Sequence, residues 1–195
     1  MADFVVLASG SGSNFEAIAR YPGLAEHRLL ALISDNPHAY ALTRAERLAV
    51  ASVVVNYGAG RRDAETRLGE LLSSFEPALV VLAGFMKVLP ARIVDRFPDR
   101  IVNIHPSLLP GHPGLHAIEA SFLDPTCGMG VTIHVVDHGV DTGRILAQYE
   151  AESHEVANLE QMEARIHKLE HEHYPAVIAT QLRLLDEGAA EASSP

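Results

Sequence analysis

Three continuously apolar runs and one β-branched run alternate with helical stretches in the first half of the chain. This alternation constrains the fold more than any other feature. Phe4-Val5-Val6-Leu7-Ala8, residues 29–33 and Pro77-Ala78-Leu79-Val80-Val81-Leu82-Ala83 are hydrophobic without a break, and residues 51–55 form a β-branched run interrupted only by Ser52. That is the pattern of strands buried on both faces rather than on one. Residues 15–20, 40–48, 64–75 and 91–97 read as helices between them, with Leu68, Leu71 and Leu72 on one face. Two further strands begin at Ile101 and Val131, and the spacing of Leu159, Met162, Ile166 and Leu169 predicts a long helix over 156–185. Pro175 is expected to break or kink that helix. No element is assigned between Gly143 and Val156. The alternation predicts an α/β fold, a doubly wound, mostly parallel sheet with helices on both faces. The organisation expected is one domain over residues 1–187, followed by a small, polar, frayed tail at 188–195.

Composition removes several function classes. The 15 basic and 25 acidic residues give a net charge of −10, which disfavours a nucleic-acid or anionic-membrane partner. A single cysteine, Cys127, excludes an internal disulfide. Met1-Ala2-Asp3-Phe4 leads directly into a strand, and no apolar run approaches a membrane span, so the expected location is cytoplasmic. Oligomeric state is open between monomer and homodimer. Eleven histidines raise the question of metal. His167 and His171 do not form the HExxH pair, however, and with His173, Glu163, Glu170 and Glu172 they read as a charged helix face. No metal is expected.

Ligands of doubly wound sheets collect at the carboxyl ends of the strands, and polar groups sit at several of those ends. Asn103 and His105 lie two apart at the end of a strand, so period two puts both on one face. With Asp141, in the loop after the second of the later strands, they form a candidate acid/base and oxyanion-binding set. Ser9-Gly10-Ser11-Gly12-Ser13-Asn14 follows the first strand and precedes a helix. The loop is open between a phosphate cradle and a tight turn capped by Ser13 or Asn14. Phe85-Met86-Lys87-Val88-Leu89 could line a slot for a flat aromatic ligand, although such residues are more commonly plain core. Arg61 and Arg62 are either solvated surface or an anion contact.

These strings together resemble the phosphoribosylglycinamide formyltransferase family of the formyltransferase superfamily. The resemblance runs essentially end to end. It is carried by Ser9 to Asn14, by Ala83-Gly84-Phe85-Met86-Lys87-Val88-Leu89, by Asn103-Ile104-His105-Pro106-Ser107-Leu108-Leu109-Pro110 and by Asp141-Thr142-Gly143. Pro113-Gly114-Leu115-His116 points to the glycinamide branch. The resemblance implies transfer of the formyl group of 10-formyltetrahydrofolate, a co-substrate, to the amine of glycinamide ribonucleotide. It implies that Asn103 and His105 stabilise the oxyanion, and that Asp141 favours the imidazolium of His105 and assists proton transfer. Gly12, Ser13, Asn14, Arg61 and Glu170 match positions that hold the phosphate or glycinamide part of the acceptor. Met86, Lys87, Val88, Leu89, Asn103, Val136, Asp137 and Asp141 match folate-contacting positions. The loop at 56–62 departs from the family by lacking its aromatic and acidic residues, and Cys127-Gly128-Met129-Gly130 stands where a more polar lid is usual.

Rival readings predict different observations. A formyltetrahydrofolate hydrolase would turn over without an amine acceptor. A methionyl-tRNA formyltransferase would carry a further RNA-binding domain and a more basic surface. A nucleotide- or folate-binding module would bind without consuming ligand, and a metal hydrolase would lose activity to a chelator.

Overall fold

The computed structural model describes residues 1–151 and 156–192. Strands β1 (Asp3–Leu7), β2 (Arg28–Ser34), β3 (Ser52–Val54), β4 (Leu79–Leu82), β5 (Ile101–His105), β6 (Gly130–Val135) and β7 (Ile145–Glu150) form one sheet in the order β3-β2-β1-β4-β5-β6-β7. The first five are mutually parallel, whereas β5–β6 and β6–β7 are antiparallel. The strand order reverses between β1 and β4, which opens a crevice at their carboxyl ends. There the backbone N–H of Ser9 donates to Gly84 O at 3.0 Å, and Met86 N–H donates to Ser9 Oγ at 2.8 Å.

The alternation of the strands sorts the core into two halves. Phe4 and Val6 pack into one cluster with Phe15, Ile18, Met162 and Ile166. Val5 and Leu7 pack into the other with Leu68, Leu72, Ile93 and Phe97. Helices α1 (Ser13–Arg20), α2 (Tyr40–Arg47) and α6 (Leu159–Ala192) therefore cover one face, and α3 (Arg61–Phe75) and α4 (Ala91–Val94) the other. This is the expected doubly wound arrangement. A further helix, α5 (Ala117–Leu123), follows β5.

Several boundaries differ from the sequence expectation. Helix α3 starts at Arg61 rather than 64, because Gly60, at φ 137°, is its N-cap and Asp63 falls in the favourable first turn. Helix α6 runs unbroken through Pro175. Its buried residues Met162, Ile166, Tyr174, Ile178 and Leu182 lie on both sides of the proline, so packing on the sheet offsets the one lost backbone bond. The Tyr174 hydroxyl, fully buried, lies 2.9 Å from Leu82 O and 3.1 Å from Val102 O, tying the helix to β4 and β5. Asn158 Oδ1 accepts from Gln161 N–H, and Gln161 Oε1 accepts from Ala157 N–H, which closes the start of α6 much as a capping box does. Helix α6 continues through Gly188 to Ala192, where composition suggests a frayed tail; residues 193–195 lie outside the described residues. Strand β7 fills the stretch to which the sequence assigns no element. Among the described residues no helix is long and apolar enough to cross a membrane.

Candidate active site

The polar residues of β5 and β6 face each other. Asn103 pairs with His134 and His105 with Thr132 in the antiparallel register. Beyond β6 the chain turns at residues 136–143 and brings Asp141 back over His105. Two backbone features force that return. Asp141 itself sits in the left-handed region at φ 56°, which aspartate tolerates better than most residues. At Gly143 any Cβ would lie 1.8 Å from Val135 O, so only glycine fits.

The resulting set is tightly connected. Asp141 Oδ2 lies 3.3 Å from His105 Nδ1 and accepts the Gly114 N–H at 2.8 Å. His105 is 4% exposed, and its Nε2 donates to His112 O at 2.9 Å. Both ring nitrogens thus face oxygen acceptors, an environment suited to a ring that donates on both sides. His134 Nδ1 donates to Val135 O at 2.8 Å. Its Nε2 is shared, lying 3.2 Å from Asn103 Nδ2 and 3.5 Å from Asp141 Oδ1. The neutral ring accepts there from the amide, and the protonated ring donates there to the carboxylate. While Asn103 gives one amide hydrogen to His134, the other is left for the cavity. Burial pushes the Asp141 carboxyl up. The hydrogen bonds from His134 and Gly114 and the charges of the two histidines outweigh this and hold it below the usual carboxylate range.

Asn103, His105 and Asp141 line one cavity of about 340 Å³, together with Met86, Lys87, Val88 and Leu89. Val136 and Asp137 line it as well. The Met86 loop divides its labour. Phe85 and Leu89 are core, as the plainer reading holds, while Met86 and Val88 are 60% and 55% exposed and present apolar surface to the cavity. Lys87 Nζ is 3.4 Å from Asp35 Oδ2 and lies over the Tyr57 ring. Asp137 accepts from Thr142 Oγ1 and Gly139 N–H, so its carboxylate closes its own loop.

The remaining predicted residues lie outside the cavity lining. Gly12, at φ 72°, is the N-cap of α1 and provides no side-chain cap, which replaces the expected Ser13 or Asn14 cap. A Cβ at Gly12 would lie 2.6 Å from Ala41 Cβ, so the loop can pack this closely on α2 only with glycine. The first-turn N–H groups of α1, those of Ser13 and Asn14 among them, are the kind of unpaired donors that bind anions. Asn14 Nδ2 donates to Glu170 Oε2 at 2.9 Å, linking α1 to α6. Burial pushes the Glu170 carboxyl up against the opposing effects of Asn14 and His167. The charged-face reading of α6 therefore holds for exposed His167 and Glu172 but not for Glu170, which is 6% exposed.

Arg61 is grouped with the phosphate residues by the sequence, yet its side-chain partner lies elsewhere. Its Nε is 2.6 Å from Glu65, which also meets Arg92 at 3.5 Å. Tyr57, beneath Lys87, is pushed up to about 12 by burial and by the Glu65 and Asp35 carboxylates, which joins these charges into one cluster. Arg62 is exposed. Among the described residues no group of three or more His, Cys, Asp or Glu side chains is placed to hold a metal ion.

His134 is the functional side chain that the sequence reading passes over. The signal was present, since the period-two argument that selects Asn103 and His105 also puts Thr132 and His134 on one face of β6.

No Ser, Thr, Cys or Tyr is among the described residues lining the cavity. A buried histidine flanked by a carboxylate and a primary amide suits proton transfer and stabilisation of an oxyanion. The chain belongs to the formyl transferase family, whose profile matches residues 2–178. It is 40% identical to the phosphoribosylglycinamide formyltransferase of Bacillus subtilis, over 96% of this chain and 98% of that one. The crystal structure of phosphoribosylglycinamide formyltransferase from Streptococcus pneumoniae superposes with a TM-score of 0.83 at 38% identity, covering 92% of this chain and 98% of that chain. The corresponding Bacillus halodurans structure gives 0.85 at 36% identity, covering 92% and 95%.

Proposed function

We propose that the protein transfers the formyl group of 10-formyltetrahydrofolate to the primary amine of 5-phosphoribosylglycinamide. The products are formylglycinamide ribonucleotide and tetrahydrofolate, a step of purine synthesis. The observation that carries the reading is His105, held by Asp141 at 3.3 Å on the wall of a cavity whose other wall is the apolar Met86–Val88 surface. The pteridine ring of the folate packs in that slot, against Met86, Lys87, Val88 and Leu89 on one side and Val136 and Asp137 on the other. The acceptor's phosphate binds at Gly12, Ser13 and Asn14, where the helix N-terminus supplies unpaired N–H groups. Glu170 and Arg61 complete that half of the site.

The acceptor's amine nitrogen attacks the formyl carbon and forms a C–N bond. The negative charge that develops on the formyl oxygen is met by Asn103 Nδ2–H and by His105 Nε2–H, which exchanges His112 O for the oxyanion. The amine proton passes to N10 of the folate by way of Asp141 and a water that it orders. Breaking the carbon–N10 bond then releases tetrahydrofolate. Absorbance of the folate product, followed with and without the acceptor, tests this directly. Acceptor-dependent turnover is expected. Equal turnover without acceptor would make the protein a hydrolase, and binding without turnover would make it a ligand-binding module.

Glu170→Gln separates binding from stability. Loss of a charge-assisted contact raises the KM for the acceptor about tenfold or more. Because burial raises the folded-state value above the ordinary 4.5, the ionised carboxylate costs stability as pH rises through that window. The variant is therefore expected to be no less stable than wild type in urea at pH 7. A lower urea midpoint with unchanged KM would reverse the assignment.

A further inference from the structure

The Asp141 side of His105 is anchored by a carboxylate, but its other nitrogen bonds only to the backbone of the loop 106–112. That loop is held in turn by two side chains that no part of the reaction uses. Thr132 is fully buried and sits directly across the ladder from His105. Its hydroxyl accepts the Leu109 N–H at 3.0 Å and the Gln148 amide at 2.9 Å, and donates to Ser107 O at 2.6 Å. A hydroxyl has one donor and two acceptor positions, so Thr132 Oγ1 is saturated. Gln148 Nε2 spends its second hydrogen on Leu109 O at 2.8 Å. Leu109 is therefore gripped at both its N–H and its C=O. From Ser107 the connection continues, since its Oγ donates to Gly111 O at 2.6 Å and lies 3.3 Å from His112 O. His112 O is the acceptor of His105 Nε2.

We infer that Thr132 and Gln148 are positioning residues for His105, acting through Leu109 and Ser107 to fix the loop that sets the direction of its Nε2–H. The inference rests on the formyl-transfer reading of the site. Neither residue touches a reacting atom. Their effect comes from orientation, because a misplacement of about 1 Å in a catalytic group can lower a rate by about 100-fold. Gln148 comes from β7, so the edge strand contributes to the active site by this route.

The test compares Thr132→Val, which keeps the shape and removes the hydroxyl, with Thr132→Ser, which restores it. Gln148→Leu changes an exposed strand position and is the variant expected to fold in any case. Thr132→Val lowers kcat by about 10- to 100-fold with both KM values within about twofold, Gln148→Leu lowers it by about 5- to 10-fold, and Thr132→Ser returns to within about threefold of wild type. Histidine ring nitrogen NMR on the same proteins reads orientation without turnover. The His105 signals move in Thr132→Val and Gln148→Leu and return in Thr132→Ser. Unchanged kcat and unchanged His105 signals in a folded Gln148→Leu protein would overturn the inference. So would losses confined to melting temperature. Wild-type protein lacking acceptor-dependent turnover would overturn the formyl-transfer reading instead, and the NMR result would still decide whether the clamp orients His105.

Discussion

His105→Ala leaves a folded protein whose turnover falls by about 100- to 1000-fold, the range for loss of one preorganised oxyanion donor. The structure explains why the fold survives. Asp141 keeps its bond from the Gly114 N–H and its approach to His134, so the carboxylate is not left buried without a partner. The atom that loses its shorter bond is His112 O, a loop carbonyl that keeps the Ser107 hydroxyl at 3.3 Å, and the expected stability cost is about 1 to 2 kcal/mol. The loss belongs in kcat rather than KM, because the donor meets charge that exists only in the transition state. Asn103→Ala has the same signature, since one of its amide hydrogens is committed to His134 and only the other is available to the oxyanion. Steady-state kinetics at saturating levels of both substrates, with a thermal melt of each variant, measure this. A folded His105→Ala protein with near-wild-type kcat would remove His105 from the mechanism.

Asp141→Asn separates charge from shape, and its expected loss is about 100-fold in kcat, within the range for a positioned acid–base group. The Asp141 carboxyl is held below its ordinary 3.8, so wild type carries the full charge at every pH from 5 to 8. Loss of that charge beside His105 shifts the acidic limb of the pH–rate profile in the variant, and an unchanged profile would argue against the pairing of Asp141 with His105. Stability follows the same carboxylate. A group whose folded-state value is depressed contributes stability above the unfolded value near 3.8, and loses it as pH falls through the lower folded value. The wild-type advantage in urea unfolding is thus largest near neutrality and shrinks on acidification below about pH 4. A difference that grows in acid would mean that His105 and His134 do not stabilise the charged form.

How much of this was readable in the chain depended on whether a signal was local. Strands β1, β2 and β4 lie inside the sheet and announce themselves as unbroken apolar runs. Strand β7 lies at the edge, and Ala147, Gln148 and Glu150 are poor strand formers, so only its pairing with β6 makes it a strand. Asn103 and His105 were legible from period two alone. Period two also puts His134 on one face of β6, but which face meets Asn103 depends on β6 running antiparallel beside β5, a tertiary fact. The same holds for Pro175, where local propensity predicts a break and packing on the sheet overrides it. Arg61 pairs with Glu65 one helical turn on, and Glu65 also meets Arg92, a link that depends on how α3 packs beside α4 and is not local to the chain.

The central claim is that the formyl carbon passes directly from folate nitrogen to acceptor amine. It is tested by supplying 10-formyltetrahydrofolate labelled with carbon-13 in the formyl group and following the label by NMR in the presence of 5-phosphoribosylglycinamide. The predicted result is one labelled formamide carbon on the acceptor for each tetrahydrofolate released, with no labelled formate. Label recovered as formate, or label remaining on the folate, would contradict it.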